Sequence, residues 1–235
     1  MKVNQRLFYL TSKKMPQLNR QKRFTSLKGN PKFKTVLLGD AGVGKSALFH
    51  RINDNIFDER LQSTIGIESC SKSFDVNGEK ISIQIWDTAG VEKFRTLTRN
   101  YYRNTQALLL VYSVHDPTSL QRLTKWIQDA EDQAPKAVRF LIGNKSDLEK
   151  SLSDQSAHNF AATHECVDVF LTSAKTGEGI DQALVKITDK LVNSYQGPFM
   201  MESPFACDIT STYEDSISLT KDKNNNSMKE RSCCF

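Results

Sequence analysis

The sequence predicts an α/β fold: a six-stranded, mostly parallel sheet with one antiparallel edge strand and helices on both faces. Three observations carry this. The apolar run Phe33 to Leu38 leads into a glycine-rich turn and then a helical pattern, the strand–loop–helix opening of such a fold. Ala107 to Val114 is a continuous apolar run, as a strand buried on both faces must be. Asn77-Gly78, between the stretches Glu68 to Val76 and Ile81 to Trp86, is a type I′ hairpin signal, and a hairpin puts the antiparallel edge on the sheet.

The remaining elements follow in order. Ser46 to Asn55 carries helical spacing. Asp116-Pro117-Thr118 opens the next helix, with proline just inside the start, and the pattern runs to about Gln133. Val138 to Gly143 reads as a buried strand and Val167 to Leu171 as another. Between them, Ser153-Asp154-Gln155 opens a helix that continues through His164, and Gly179 precedes a last helix from Ile180 to Asn193. His158 and His164 have no acid at ligand spacing and read as surface residues; His50 and His115 show no metal constellation.

The chain divides into a folded domain, 33–195, between two polar segments. About 160 residues suffice to bury about 70% of the unfolded surface, so the core needs no disulfide or structural metal. Cys70, Cys166 and Cys207 are scattered and Cys233-Cys234 adjacent, a pattern with neither zinc spacing nor a disulfide framework that fits a reducing cytosol. Residues 1–32 hold nine of the 32 Lys and Arg and none of the 27 Asp and Glu, so this arm is +9 and the remainder −4. The arm has no long apolar run, which excludes a transmembrane helix or a secretory signal. Three readings of it stay open: contact with an anionic lipid leaflet, a mitochondrial presequence built on Arg6-Leu7-Phe8-Tyr9-Leu10, and a solvated arm without a role. Nucleic-acid binding is not expected, because the basic residues are not interleaved with folded structure. Residues 196–235, announced by Gly197-Pro198, are rich in Ser, Thr, Asp, Asn and Lys and read as a disordered tether.

The loops at the carboxyl ends of the strands carry the chemistry. Gly39-Asp40-Ala41-Gly42-Val43-Gly44-Lys45-Ser46, continued by Ala47, is a complete phosphate-binding loop. Its glycines let successive N–H groups point inward, and the following helix N-terminus adds positive potential. Lys45 reaches the β- and γ-phosphates, and Ser46 offers its hydroxyl to Mg²⁺. Asp87-Thr88-Ala89-Gly90 ends a strand, so that Asp87 can hold the metal and the Gly90 N–H can meet a γ-phosphate. Asn144-Lys145-Ser146-Asp147 ends another, and a carboxylate there accepts two N–H groups that guanine has and adenine lacks. Ser173-Ala174-Lys175 closes the set with a backbone N–H for the guanine O6.

With these motifs in this order the chain resembles a small GTPase, and within that superfamily a Rab. The residues behind the resemblance are Ile85-Trp86-Asp87-Thr88-Ala89-Gly90, Glu92-Lys93-Phe94-Arg95, Tyr101-Tyr102-Arg103, Ser63-Thr64-Ile65-Gly66 and Cys233-Cys234, and it covers Phe33 to Tyr195 plus the last three residues. It implies the P-loop GTPase fold, GTP and GDP as ligands, Mg²⁺ as cofactor, and a catalytic group of Lys45, Thr64, Gly90 and the residue after it. It implies that Thr64 binds the metal and senses the γ-phosphate and that Phe57 stacks on guanine; taken alone, Phe57 is equally an ordinary core residue. An effector surface at Ile65, Gly66, Ile67, Trp86, Phe94 and Tyr101 follows by the same resemblance. So do two geranylgeranyl groups on Cys233 and Cys234, since Ser232 excludes a four-residue C-a-a-X box. The implied partners are exchange factors, GTPase-activating proteins, effectors, a prenylation escort and GDI-type chaperones. The implied location is the cytoplasmic face of an intracellular or plasma membrane, with a cytosolic pool.

The departures from the family matter as much. A Rab normally carries glutamine after Asp-Thr-Ala-Gly, where this chain has Val91. That glutamine orients the attacking water, and valine has neither donor nor acceptor. Intrinsic hydrolysis in this class is on the order of 10⁻⁴ per second and is expected to be slower still here. The expected protein is biased toward its GTP-bound state, although Rab-directed activating proteins can supply an arginine and a glutamine of their own. The alternatives are an essentially non-hydrolysing GTP-bound scaffold and an organellar GTPase with a cleaved leader. Ala41, where many Rabs have serine, is expected to matter little. Ser69 replaces an aromatic that joins Trp86 in an exposed triad, which removes an anchor for effectors. Asn104-Thr105-Gln106 and Ser113-Val114-His115 also drift from the family's residues and leave the subgroup unassigned.

Overall fold

β-Branched and leucine-rich runs alternate with capped amphipathic helices, and this alternation builds the sheet of the computed structural model, which describes residues 31–61, 64, 67–76, 78–88, 102–194 and 200–201. The elements are β1 (Pro31–Leu38), α1 (Lys45–Asp54), β2 (Glu68–Val76), β3 (Glu79–Asp87), β4 (Ala107–Ser113), α2 (Pro117–Glu131), β5 (Val138–Asn144), α3 (Asp154–Thr163), β6 (Cys166–Leu171), α4 (Ile180–Ser194) and the two-residue β7 (Met200–Met201).

The strand order is β2-β3-β1-β4-β5-β6, with β2 and β3 antiparallel and every other neighbour on that path parallel. This is the mixed sheet expected from the sequence. Gly78, at φ 81°, takes the left-handed backbone that the hairpin turn requires; its neighbour Asn77 lies outside the described residues. All seven residues of β4 are buried, because it lies between β1 and β5 with helices over both faces.

Alternate residues of the strands feed two cores. Phe33, Leu37, Ile83 and Leu109 pack with Leu48 and Phe49 of α1 and with Leu184, Ile187 and Leu191 of α4. Val36, Leu38, Leu108 and Leu110 pack on the other face with Leu123, Trp126 and Ile127 of α2 and Ala157 and Ala161 of α3. Each fully buried aliphatic side chain contributes about 1.5–3 kcal/mol. The caps are those the sequence announces: Asp116 accepts from the Thr118 N–H with Pro117 at the first turn, and Ser153 accepts from the Ser156 N–H.

Two features differ from expectation. β1 begins at Pro31 rather than Phe33; proline, lacking an N–H, is tolerated at a strand's first residue. Met200 and Met201, within the segment read as tether, form β7 and pair antiparallel with β1 through Lys32↔Met200 and Pro31↔Met201. Two residues carry no periodicity by which a strand could be read. No helix among the described residues is long and apolar enough to cross a membrane.

Candidate functional site

The loops at the carboxyl ends of β1, β5 and β6 converge on an open cavity of about 410 Å³. At one end stands the loop between β1 and α1. Gly39, at φ 149°, lies against β4, where a Cβ would stand 2.2 Å from the Val111 carbonyl oxygen. Gly44, at φ 94°, is the N-cap of α1, and a Cβ there would meet the Asn144 amide nitrogen at 2.5 Å. Both positions demand glycine for conformation and for space. Lys45 folds back over the loop, its Nζ donating to the Gly39 carbonyl at 2.8 Å and the Asp40 carbonyl at 2.9 Å. Burial pulls its pKa down to about 8, against the opposing pull of the Asp87 and Asp40 carboxylates. A buried cation so placed gains a partner when a phosphate enters.

Next to it the Ser46 and Thr64 hydroxyls lie 2.5 Å apart. Asp87, at the end of β3, is 2% exposed, and its Oδ1 is buried without a hydrogen-bond partner among the described residues. Burial pushes its carboxyl pKa up, an effect offset in part by a hydrogen bond from Ser46 and by the Lys45 charge. An orphaned carboxylate oxygen beside two hydroxyls is an all-oxygen donor set suited to a hard divalent cation such as Mg²⁺.

The other end is built around Asn144, which is fully buried. Its amide nitrogen donates to the Val43 carbonyl at 3.0 Å and the Gly44 carbonyl at 3.3 Å, while its Oδ1 accepts from the Ala174 N–H at 3.1 Å. Asn144 therefore ties the phosphate loop to the loop after β6. The Ala174 N–H, which falls in the segment expected to serve a guanine O6, is engaged with Asn144 in this arrangement. Lys145 takes a left-handed backbone at φ 65°, uncommon for a side chain of its length. Asp147 Oδ1 accepts from the Ser173 hydroxyl at 2.5 Å, which fixes the carboxylate facing the cavity. Phe57 both lines the cavity and packs on the core below it, so its position serves either sequence reading.

Of the residues expected to bind nucleotide or metal, Ala41, Gly42, Gly44, Lys45, Ser46, Ala47, Phe57, Thr64, Asn144, Lys145, Asp147, Ala174 and Lys175 line the cavity. Gly39, Asp40, Val43, Asp87 and Ser173 do not; they act on it through the groups they hold. The Asp40 carboxylate in particular turns to α2, accepting from Trp126 Nε1 at 2.8 Å and from Arg122 at 2.9 Å. Gly90, Val91, Ile65, Gly66, Phe94, Tyr101, Cys233 and Cys234 lie outside the described residues. Of the expected effector surface, Ile67 and Trp86 are half-buried; the Lys34 ammonium stands 4.9 Å from the Trp86 ring centre, and Ser69 pairs opposite Trp86 in the β2–β3 register without offering a ring.

Sequence reading missed Asp58, Glu59, Leu61 and Leu148 in the cavity wall, and above all Arg51 of α1. Arg51 donates through Nε to the Ala174 carbonyl and through Nη2 to the Lys175 carbonyl, both at 2.8 Å. Nothing in the sequence around Arg51 signals a partner so far along the chain.

The sequence model of the Ras family matches residues 34–193. The chain is 38% identical to Ras-related protein Rab-15 of Mus musculus over 167 residues, 70% of this chain and 78% of that protein. It is 37% identical to Ras-related protein Rab-10 of Diplobatis ommata over 162 residues, 68% of this chain and 81% of the relative. A similar match, 37% over 166 residues, covers 68% of this chain and 80% of Ras-related protein Rab-30 of Homo sapiens. The matched span contains every described strand from β2 to β6, both ends of the cavity and all four loops that line it, and the chain therefore belongs to the Ras family as a Rab-type small GTPase.

Proposed function

We propose that this protein is a membrane-anchored GTP/GDP switch of vesicle traffic whose GTP-bound state is long-lived. The observation that carries the reading is the two-ended cavity: buried Lys45 with the Ser46, Thr64 and Asp87 oxygens at one end, and the Asp147 carboxylate locked by Ser173 at the other. Such a site separates phosphate and metal recognition from base recognition along one nucleotide. Ser46, Thr64 and Asp87 fit Mg²⁺, which when bound supplies charge neutralisation at the phosphates. Lys45 adds a fixed cation, and Gly90 is assigned the γ-phosphate contact that would order the segment around it and expose a face to effectors.

Val91 decides how the switch runs. It follows Gly90, where its relatives in mechanism place a water-orienting amide, and its isopropyl group neither donates nor accepts. Intrinsic turnover is therefore low, and reset depends on an activating protein that brings its own groups. A specific residue also favours a second reading, since the same Val91 suits a scaffold that stays GTP-bound and only recruits effectors. Cys233 and Cys234 carry two prenyl groups, for one chain binds a membrane marginally and two bind stably. Residues 196–235, apart from β7, act as the tether, the basic arm of residues 1–32 adds contact with the anionic leaflet, and exchange factors, effectors and GDI-type chaperones are the expected partners.

Single-turnover hydrolysis of preloaded GTP, measured beside Val91→Gln, tests this. The natural protein is expected to keep GTP for many hours and the variant to hydrolyse it roughly tenfold to a hundredfold faster. Equal rates would mean that another group positions the water. A fast variant that recruits effectors no differently from the natural protein favours the scaffold.

A further inference from the structure

We propose that Arg51 is the pin of a clamp that closes the base end of the cavity and sets how slowly guanine nucleotide leaves. Arg51 lies in the last turn of α1 and makes four hydrogen bonds. Nε and Nη2 hold the Ala174 and Lys175 carbonyls, each at 2.8 Å, and Nη1 holds the Asn55 carbonyl at 2.9 Å and the Asn55 side-chain oxygen at 3.0 Å. A planar guanidinium can span these acceptors because its N–H groups diverge in a rigid fork; a lysine ammonium, a compact point charge, cannot reach all of them at once.

The segments so joined are separate in the fold. One is the loop after β6, whose Ser173 orients Asp147. The other is the C-cap of α1, where Asn55 turns left-handed at φ 57° and sends the chain toward Phe57, Asp58 and Glu59 in the cavity wall. A second link crosses between them, Lys175 Nζ to Glu59 Oε1 at 2.8 Å. Residues 55–59 and 173–175 thus form a ring around the base end, closed at one side by Arg51 and at the other by Glu59. Parting this ring would loosen the base of a nucleotide whose phosphates are held at the opposite end.

The two links are unequal. Lys175 and Glu59 are 54% and 68% exposed, and an ion pair in water contributes little and is screened by salt. Arg51 holds backbone carbonyls, one of them through a partly buried bond, with charge-assisted hydrogen bonds that are individually stronger. Arg51 does not line the cavity and is a positioning residue, acting through the loop and chain it joins.

The test rests on the guanine-nucleotide reading above and uses the full chain loaded with a fluorescent GDP, whose release is followed in excess GDP at fixed Mg²⁺. Arg51→Ala is expected to release roughly tenfold to a hundredfold faster, with Arg51→Lys between. Glu59→Ala should change release by less than about fivefold, an effect that disappears at high salt. Because the clamp holds the base end, Arg51→Ala should also lower the preference for GDP over IDP, which lacks the amino group facing Asp147. Chelating Mg²⁺ should accelerate release by the same factor in both proteins. A folded Arg51→Ala with the natural release rate would overturn the proposal, as would faster release with the GDP-to-IDP preference intact, which would mark general loosening. If Arg51→Ala does not fold, Asn55→Gly keeps the left-handed turn, removes one acceptor and is expected to release GDP a few-fold faster; an unchanged rate overturns the proposal. A natural protein that takes up no guanine nucleotide would instead fail the proposed function at its root.

Discussion

Asp87 shows how one residue serves the site at the expense of the fold. Its raised pKa comes first from burial, and the Ser46 hydroxyl and Lys45 charge offset only part of it. An acid whose folded pKa is raised holds its proton more tightly in the native than in the unfolded state. The stability of the nucleotide-free protein therefore falls as pH rises from 3.8 through the folded value, and the cost is full above it. Asp87→Asn, nearly isosteric and uncharged, should make the nucleotide-free protein melt higher at neutral pH, with the gap closing as pH falls toward 3.8. The same variant should weaken the Mg²⁺ dependence of GDP retention by about tenfold or more, since the ligand oxygen proposed above is lost. A variant that melts lower than the natural protein at pH 7 would refute this account of Asp87. Lys45, Ser46, Asp87 and Asp147 were legible as candidates because the phosphate, metal and base chemistry proposed for them dictates residue types at strand ends. Arg51 was not, because its use depends on carbonyls 123 and 124 residues further on, and a carbonyl belongs to every residue alike. Asn144 was legible as a member of the site but not in its task, which is to join Val43, Gly44 and Ala174.

At the scale of elements, α2 does more than cover the sheet. Its buried Trp126 donates to Asp40 Oδ1, and Arg122 pairs with Asp40 Oδ2, so the phosphate loop is fastened to the helix behind it. Trp126→Phe keeps an aromatic ring in the core but leaves Asp40 Oδ1 without the indole donor. The expected cost is about 1 kcal/mol, which lowers the melting temperature by about 2–4 °C in a domain of this size, together with faster GDP release. Arg122, half exposed, should matter less when replaced by alanine. Unchanged melting and release in Trp126→Phe would show that the fastening has no consequence for the loop. The helices and long strands were readable because periodicity, Pro117 and the Asp116 and Ser153 caps act locally. β7 was not, because its two residues pair with a strand near the opposite end of the chain, and only the folded sheet offers that edge.

For the whole molecule, the β7–β1 pairing brings together the roots of the two outer segments. Pro31 stands at the amino end of β1, whereas the nucleotide cavity stands at the carboxyl end. β7 runs antiparallel with Met201 opposite Pro31, so the chain leaves Met201 at the same end of β1 at which it enters Pro31. Arm and tether are thus rooted side by side at the pole away from the cavity. If the arm and the prenylated tail proposed above both meet a membrane, their roots put that contact at the pole opposite the cavity. The charges agree: nine cations without an acid in residues 1–32, against a remainder in which acids predominate. Each cation near an anionic leaflet contributes about 1 kcal/mol and is screened by salt. The full chain without prenyl groups should therefore bind vesicles rich in phosphatidylserine, ignore neutral ones and come off at high salt. Replacing Lys13, Lys14, Lys22 and Arg23 with alanine should weaken that binding roughly a hundredfold or more. The proposed prenyl anchor is tested separately, by partition of the cellular protein onto neutral vesicles, so either result can fail alone. Equal binding to neutral and anionic vesicles would remove the arm from the membrane, and a cellular protein whose intact mass lacks the first residues would make the arm a cleaved leader instead.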